Sequence, residues 1–334
     1  MFLDIVPSNE PVKQRDSPFA LTTVPLFRWH RISGGFMRSI PVKKIVMLVV
    51  VIVPFLATLF AIWLLWDRAV NWTDLALLVA FNVIGGLGVT VGFHRMLTHR
   101  SFHPHPVVKF ILLAFGSMAV EGPALEWAAT HIKHHAHSDR DGDPHSPVEG
   151  FWHAHMGWMF NRSPADPNVY CRNLVKDPIV VFVSRTFILW VVLSLVIPFA
   201  IGGWTGLLWG GLVRIFLTHH ITWSVNSVCH TFGKREFETR DQSRNEWIVG
   251  LLGLGEGWHN NHHAFPRSAF HGLHWWQLDL SGYVIWTLER VGLARDVYRV
   301  SPAMRARYTD KKMGVESEVT ASTDVMMLPE NTLV

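Results

Sequence analysis

The stretch LLWGGLVRIFLTHHITWSVNSVCH, residues 207–230, decides the fold of this chain. Residues 207–229 are long and apolar enough to cross a bilayer, because a spanning helix needs about 20 mostly apolar residues. The stretch also carries polar side chains, namely Arg214, His219, His220, Asn226 and His230. Polar groups at bilayer depth are costly unless they face a protein interior that offers partners. The stretch therefore predicts a membrane helix that lines an interior and ends in a histidine.

The composition of the whole chain also indicates a membrane protein. Of its 334 residues, 49% are hydrophobic, 17% are charged and 16 are Trp, a residue enriched at membrane–water interfaces. A further apolar stretch, 107–120, is too short to cross and predicts a re-entrant or interfacial helix. The expected fold is an all-α integral membrane protein. Four stretches predict its transmembrane helices, at 45–66, 75–93, 179–201 and 207–229.

Basic residues predict the orientation of these helices. Lys and Arg are frequent before the first predicted span, whereas the turns between spans one and two and between spans three and four carry only Arg68. Because basic flanks stay in the cytoplasm, both termini are expected there. With four spans, residues 94–178 and 230–300 then form a cytosolic helical cap. The expected divisions are a cytosolic segment 1–44, a membrane domain 45–300 and a disordered polar tail 301–334.

Nine histidines have the spacing of a metal centre. They are His94 and His99 in HRMLTH, His131, His134 and His135 in HIKHH, His230 alone, and His259, His262 and His263 in HNNHH. In an HxxHH helix the first and last rings share a face and the middle ring lies beside them, so two such helices can form a pocket of six imidazoles. His94 and His99 are off-face on an α-helix, so the second span is expected to end between them. Imidazole binds iron, copper and zinc, and the pattern therefore predicts metal-based redox chemistry.

Other polar residues near these motifs are candidates for supporting roles. Asn226 lies one helical turn before His230 and could hold a metal-bound water. Asp143 and Glu256 are expected to accept the outer N–H of ligand rings. The neighbouring acidic residues in DRDGD are more typical of a solvated turn; they are Asp139 and Asp141.

The histidines outside the pattern have weaker assignments. Those near the second motif are either partners of the ligands or interface residues; they are His137, His145 and His155. A further set is interpreted as structural, namely His103, His105, His153, His219, His220, His271 and His274. The two cysteines are too few for a disulfide framework or an iron–sulfur site; Cys229, in the fourth span, is interpreted as a packing thiol and Cys171 as an inert thiol in a loop.

The motifs resemble the histidine boxes of the membrane fatty acyl desaturases, in particular bacterial members of the Δ9, stearoyl-CoA desaturase-like branch. The resemblance covers about residues 30 to 300 and rests on GFHRMLTHRSF at 92–102, EWAATHIKHHAHSDRDGDPHSP at 126–147, GFWHAHMGW at 150–158, NSVCH at 226–230 and GEGWHNNHHAFP at 255–266. It implies that the nine histidines bind two non-haem irons, that Asn226 holds a water on one iron, and that four transmembrane helices carry a cytosolic cap. The implied reaction uses O2 to remove two hydrogens from a saturated acyl chain and leaves a cis double bond at Δ9.

The resemblance leaves the carrier of the acyl chain open. Animal acyl-CoA members have an Arg-Asp pair before the second box, where this chain has Ala129 and Thr130. Coenzyme A, acyl carrier protein and a glycerolipid are therefore all candidate carriers. The sequence shows no fused cytochrome b5-type domain, so electrons are expected from a separate donor of the ferredoxin, rubredoxin or cytochrome b5 type, together with a reductase.

Reaction at one methylene among similar neighbours requires that geometry hold the acyl chain in place. We therefore expect a narrow, kinked apolar tunnel beneath the metals, lined by the second and fourth spans. Three aromatic residues beside the histidine motifs are candidates for its wall: Trp127, Trp152 and Trp258.

Three other functions use similar residues. A membrane hydroxylase or ketolase of the same histidine-rich superfamily would insert oxygen, although NSVCH, GEGWHNNHH and DGDPHSP favour desaturation. A histidine-lined membrane metal transporter would place its sites near the bilayer midplane, whereas these motifs lie at span ends and in loops. A zinc hydrolase would need a carboxylate base beside an open site. Nothing in the sequence resembles a nucleic-acid-binding module.

Overall fold

The computed structural model describes residues 40–67, 70–161, 165–306 and 308, and this part is mainly helical. Expectations for the segment before residue 40, for Arg68 and for the tail after residue 308 lie outside the described residues. The α-helices are α1 (Ile40–Asp67), α2 (Trp72–Leu87), α3 (Pro106–Met118), α4 (Ala124–His137), α5 (Trp158–Asn161), α6 (Pro167–Tyr170), α7 (Pro178–Arg185), α8 (Phe187–Gly206), α9 (Arg214–Ser227), α10 (Trp247–Leu252), α11 (His259–Ala264) and α12 (Leu280–Arg290).

Helical segments of other types continue or connect these helices. Two short 3-10 turns and three π-helical segments occur in the described residues. The 3-10 turns are Pro147–Glu149 and Leu174–Lys176, and the π-helical segments are Gly88–Thr98, His153–Gly157 and Leu207–Val213. The two-residue strands β1 (His103–Pro104) and β2 (Ala294–Arg295) pair antiparallel, with His103 opposite Arg295. This pairing ties the segment after the first histidine motif to the chain after α12.

Three helical stretches of the described residues are long and apolar enough to cross a membrane: Val42–Leu65, Trp72–Thr98 and Phe187–Ser227. The first two predicted spans fall largely within the first two of these stretches. Along α1, apolar side chains such as Leu56 and Trp63 are more than half exposed. A continuous apolar surface of this size is typical of a helix that contacts lipid rather than water.

Gly203 reverses the chain within the third stretch. Its φ of 62° and ψ of −146° lie in a region that glycine alone readily adopts. As a result, Arg214 Nη2 donates to the carbonyl of Ser194 at 3.3 Å. A straight helix would separate these residues by about 30 Å. Phe187–Ser227 is therefore a hairpin of two packed antiparallel arms.

The third predicted span, 179–201, differs from the structure in one respect. It is divided, because α7 ends at Arg185 and α8 begins at Phe187, with the non-helical Thr186 between them. Its remaining residues form the first arm of the hairpin, and the fourth predicted span, 207–229, lies in the second arm.

Polar side chains of the second arm hold the end of α3. Arg214 is fully buried, and its Nη1 donates to the carbonyl of Met118 at 2.7 Å. His219 Nε2 lies 3.1 Å from the carbonyl oxygen of Ala119. The last carbonyls of a helix have no partner within it, so these two side chains satisfy groups that would otherwise be orphaned. The expectation that His219 has a structural role agrees with this contact.

The largest apolar core lies beside the histidine motifs. It includes Phe93, Leu113, Ala128, Val180 and Ile285, from the π-helical segment and from α3, α4, α7 and α12. At the crossing of α3 and Gly88–Thr98 the backbones touch, because a Cβ at Gly88 would lie 2.0 Å from the amide nitrogen of Gly116. This packing holds the first histidine motif against α4, which carries the second.

Candidate metal centre

The structure brings all nine histidines of the sequence pattern together in two groups, and in each group the candidate ligand atoms lie within 4.8 Å of one another. The first group is His94, His99, His131, His135 and His262. The second group is His134, His230, His259 and His263. The groups adjoin, since the rings of His135 and His263 stack with their centroids 4.5 Å apart.

His94 and His99 share one face because the helix that carries them is π-helical. As expected, the helix ends between the two residues, at Thr98, but it continues past His94 as the π-helical segment Gly88–Thr98, and His99 is its C-cap. In a π-helix the hydrogen bonds run from residue i to i+5, and His99 N indeed donates to His94 O at 3.0 Å. Residues five apart therefore lie one above the other, and the two ring centroids are 4.7 Å apart.

The two HxxHH helices contribute to the two groups in opposite ways. In α4 the first and last rings, His131 and His135, join the five-membered group, and the middle ring, His134, joins the other. In α11 the first and last rings join the four-membered group, and the middle ring, His262, joins the five-membered one. Each helix thus serves both groups, because its i and i+4 rings share one face and its i+3 ring lies on the neighbouring face.

The ring nitrogens fit metal coordination. Nδ1 of His134 lies 3.0 Å from Asp143 Oδ1, so Nε2 is left with its lone pair, buried and without a hydrogen-bond partner among the described residues. His263 repeats this arrangement, with Nδ1 2.7 Å from Asp241 Oδ2. A buried acceptor with no partner is costly. A cation shared by such nitrogens removes that cost, and the histidine groups are able to hold metal ions.

Four carboxylates bind the outer nitrogens of four of the rings. Glu256 pairs with His94 at 2.7 Å, Asp143 with His134 at 3.0 Å, Asp139 with His230 at 2.9 Å and Asp241 with His263 at 2.7 Å. Such contacts fix the tautomer and the orientation of a ligand ring. The contacts expected for Asp143 and Glu256 are present. The interpretation of Asp139 as part of a solvated turn was wrong, because its carboxylate is buried against His230.

Asp241 was missed by the sequence analysis. It lies in ETRDQSRNE, which carries none of the histidine motifs, and it reaches His263 only through the fold. The turn around it holds the carboxylate in place, since Thr239 Oγ1 donates to Oδ1 at 2.8 Å and the backbone N–H of Ser243 donates at 3.1 Å. The local signal was the sequence T-x-D-x-S, which is typical of such a turn but not of a metal site.

The protonation states suit this arrangement. Burial alone would raise the pKa of each of the four carboxyls, but hydrogen bonds from the rings and the charges of neighbouring imidazoles hold it below its ordinary value. Burial, followed by repulsion between neighbouring rings, lowers the pKa of the imidazoles of His131, His135, His259 and His262. Ionised carboxylates and neutral imidazoles are the forms that bind and orient a metal ion.

Three further histidines lie near the groups. His271, interpreted from sequence as structural, is buried with Nδ1 3.3 Å from Glu256 Oε2. The ring of His145 stacks on that of His134 at 4.3 Å between centroids, which makes it a direct neighbour of a candidate ligand. His155 lies on the other side of α9, with Nδ1 2.9 Å from Ser227 Oγ and Nε2 3.0 Å from His220 Nδ1.

An apolar cavity borders the histidines. His94, His131 and His259 line it, together with Asn226 and Glu256. The rest of its wall comes from α2 and the π-helical segment that follows it, from α9, and from the end of α10 with the two residues after it. These residues are Asn82, Gly86, Val89, Thr90, Thr218, Ile221, Thr222, Val225, Leu252, Gly253 and Leu254. The expected contribution of the second and fourth predicted spans to an apolar wall therefore agrees with the structure.

Of the three aromatic candidates, Trp127 alone lines this cavity. Its ring stacks on His131 at 5.0 Å between centroids, and its Nε1 donates to Glu121 Oε2 at 3.1 Å. Trp258 is buried elsewhere, where its Nε1 donates to the carbonyl of Leu278. Trp152 is 70% exposed. Neither of these two lines this cavity, because nearness to a histidine motif along the chain does not determine the direction of a side chain.

Comparisons with known proteins agree with the geometry. Residues 70–288 match the fatty acid desaturase family. The chain is 38% identical over 287 residues to a hex-5-enoyl acyl-carrier-protein acetylenase of Moorena producens, which covers 80% of this chain and 89% of that protein. It is 43% identical over 223 residues to the sn-1 stearoyl-lipid 9-desaturase of Anabaena variabilis, covering 66% and 82%. It is also 42% identical over 243 residues to the chloroplastic palmitoyl-monogalactosyldiacylglycerol delta-7 desaturase of Arabidopsis thaliana, covering 71% and 65%. On these similarities and on its paired histidine groups, the chain belongs to the fatty acid desaturase family.

Proposed function

We propose that this chain is an O2-dependent fatty acyl desaturase that introduces a cis double bond, at Δ9, into a saturated acyl chain. One observation carries the proposal: the nine histidines form two adjoining groups, and three of them also line an apolar cavity. A metal centre that borders an apolar cavity suits the oxidation of a hydrocarbon better than hydrolysis or ion transport.

We assign the nine histidines as ligands of two non-haem irons, five to one and four to the other. With O2, the bound irons would supply an oxidant strong enough to take hydrogen from an unactivated methylene. The second group has one histidine fewer, and we assign Asn226, on the cavity wall with His259, to hold a water there. The carboxylates of Asp139, Asp143, Asp241 and Glu256 would keep their partner rings in the ligand orientation.

Residues of the cavity wall would position the acyl chain. Trp127 is held on two sides, by its hydrogen bond to Glu121 and by stacking on His131, and so forms a rigid wall at the metal end. Thr222 and Val225 of α9 also line the cavity. Neighbouring methylenes are chemically alike, so a fixed position of the chain against this wall would select the methylenes that react.

We further propose four membrane crossings, with the two arms of the Gly203 hairpin crossing separately. This topology would place both termini and the cap, 94–178 and 230–300, in the cytoplasm together with the metal centre. Labelling of single cysteines with a membrane-impermeant thiol reagent tests it. Trp152→Cys, at an exposed position in the cap, should react only from the cytoplasmic side. Gly203→Cys, at the turn of the hairpin, should react only from the opposite side.

The carrier of the acyl chain and the electron donor are part of the proposal. Relatives are named for acyl-lipid substrates, for an acyl carrier protein and for acyl-CoA. We favour a glycerolipid, because the lipid-named relatives reach 42% and 43% identity. Electrons would come from a separate ferredoxin, rubredoxin or cytochrome b5-type protein and its reductase. The Δ9 assignment rests on relatives named as 9-desaturases, although others are named for positions 7 and 5.

Expression in a desaturase-deficient host, followed by mass spectrometry of its fatty acids, tests the proposed function. We expect a new monounsaturated acid with its double bond at carbon nine, and none from a His262→Ala variant expressed at the same level. A hydroxylated product would instead indicate the hydroxylase alternative. Full activity without iron or O2 would contradict the proposal altogether.

A further inference from the structure

The segment 247–254, made of α10 with Gly253 and Leu254, has one face on the cavity and another on the outside of the protein. Leu252, Gly253 and Leu254 line the cavity that borders the histidines. Yet Leu252 is 54% exposed, and so, to a similar extent, are Trp247, Ile248 and Leu251. The cavity wall is therefore thin at this segment, and its outer surface is apolar.

The segment lies alongside α9, within a stretch of membrane-spanning length. A Cβ at Gly253 would lie 3.6 Å from Ile221 Cγ2. Ile221 precedes the end of α9 at Ser227 by six residues, or about 9 Å along the helix axis. Segment 247–254 of the cap thus reaches the membrane-spanning stretch Phe187–Ser227 inside its end, at a depth where lipid would surround the protein.

Leu254 closes the cavity against α2. Its Cδ1 would lie 3.0 Å from a Cβ placed at Gly86, so the leucine side chain fills the notch that this glycine leaves in α2. The contact is held in an unfavourable backbone conformation, since Leu254 has a φ of 56°. Strained residues of this kind are concentrated in segments that move during function.

We propose that segment 247–254 is a lateral door through which the acyl chain of a bilayer lipid reaches the metal centre, with the Leu254–Gly86 contact as its latch. The proposal rests on the function proposed above and specifies how the substrate reaches that site. An acyl chain that belongs to a glycerolipid stays in the bilayer because transfer of its methylenes to water is unfavourable. It must therefore enter the cavity from the side. Among the described residues that line the cavity, those of segment 247–254 lie at the depth of the lipid and belong to an exposed apolar face.

A reversible cross-link across the latch tests the door. In a Gly86→Cys/Leu254→Cys variant the two thiols would face each other. Leu254 Cγ, which marks where a cysteine sulfur would lie, is 3.8 Å from a Cβ at position 86, so a small movement brings the sulfurs to bonding distance. Oxidation with diamide closes the latch and dithiothreitol reopens it, so the reduced protein is its own control for folding. The matched control is Gly85→Cys/Ala119→Cys, whose Cβ atoms would be 3.6 Å apart and which links α2 to the end of α3 outside the cavity lining.

The readout is photolabelling, which requires neither turnover nor an electron donor. The probe is phosphatidylglycerol with a diazirine on its sn-1 stearoyl chain, in vesicles that contain the purified protein. We expect the peptide with residues 218–226 to be labelled in the reduced variant, at least ten times less after oxidation, and again after reduction. The control variant should be labelled equally in both states.

Two results would overturn the door. One is unchanged lipid labelling of the oxidised Gly86→Cys/Leu254→Cys variant. The other is an equal loss of labelling by a soluble diazirine-bearing stearoyl-CoA, because the cross-link would then affect the whole cavity rather than lateral access. Retained labelling by the soluble thioester, with loss of labelling by the lipid, supports the door. A missing double bond in the host assay would be a separate failure, of the proposed function and not of the door.

Discussion

His94 and His99 lie on one face of a π-helical turn, with His99 N donating to His94 O at 3.0 Å and their rings edge to face at 4.7 Å between centroids. In an α-helix of the same sequence, one of the two rings would point away from the other seven, because residues five apart are separated by well over one turn. The spacing HxxxxH and the wider helix therefore depend on each other, and a change in either should remove a ligand.

Insertion of one alanine after Leu97, between the two histidines, should remove His99 from the group. The two histidines would then be six residues apart, a spacing that places both rings on one face in neither an α-helix nor a π-helix. We expect iron content to fall from two ions per chain to about one. Turnover should fall at least about 100-fold, which exceeds the loss usually caused by removing a residue that only hydrogen-bonds to a ligand. Elemental analysis of purified protein measures the first effect. Leu97→Ala, which keeps the spacing, is the control, and two irons in the insertion variant would contradict the argument.

Asp241→Asn should weaken metal binding although no histidine motif contains this residue. The amide can donate to His263 Nδ1, and the ring would then present its protonated nitrogen to the metal side. Loss of such a partner typically costs 10–100-fold, by order of magnitude, in metal affinity or activity. Iron retention during competition with a chelator measures the effect.

Asp141→Asn provides a matched control for the acidic loop, because Asp141 is exposed whereas the carboxylates of Asp139 and Asp143 are buried. Asp139→Asn and Asp143→Asn should behave like Asp241→Asn, whereas Asp141→Asn should retain iron as the unmodified chain does. Equal retention in all four variants would show that the carboxylates do not orient the rings.

Glu121→Gln should make the protein more stable at high pH. Burial raises the pKa of Glu121 from its ordinary value of 4.5 to about 7, against hydrogen bonds from Thr222 and Trp127 that oppose the shift. A carboxyl with a raised pKa in the folded state destabilises the protein as pH increases above the unfolded value, and the full cost is present above pH 7. Glutamine cannot ionise, so the variant should gain up to about 3 kcal/mol in free energy of unfolding at pH 8 and little at pH 4.

Thermal unfolding in detergent at pH 4 and pH 8 measures this difference. Glu238→Gln is the control, because the side chain of Glu238 is 60% exposed. Parallel stability curves for Glu121→Gln and the unmodified chain would mean that Glu121 is not held in its protonated form.

Gly203→Ala should destabilise the hairpin through the backbone alone. A Cβ at this position would meet no atom within 4 Å, so steric contact contributes nothing. The cost comes from the φ of 62° and ψ of −146°, which a residue with a Cβ disfavours by about 1–3 kcal/mol. A lower unfolding temperature in detergent checks the prediction, and an unchanged temperature would place the reversal of the chain elsewhere.

Local patterns were sufficient to identify much of this protein. Apolar length alone predicted the stretches that α1, α2 and the hairpin arms occupy, because the thickness of a bilayer sets the length of a spanning helix. The HxxHH spacing singled out His131, His134 and His135, since helical periodicity puts rings three and four residues apart on neighbouring faces. Information of this kind is carried by residues close together in the chain.

Contacts between distant residues were decided by the tertiary structure. Four features bring together segments that no periodic pattern in the sequence relates. They are the reversal at Gly203, the contact of Asp241 with His263, the division of nine rings into five and four, and the closure of the cavity by Leu254. Their positions follow from how whole helices pack against one another. A short motif can specify which face of its own helix a side chain occupies, but the partner on the other side of that face depends on the packing of the entire chain.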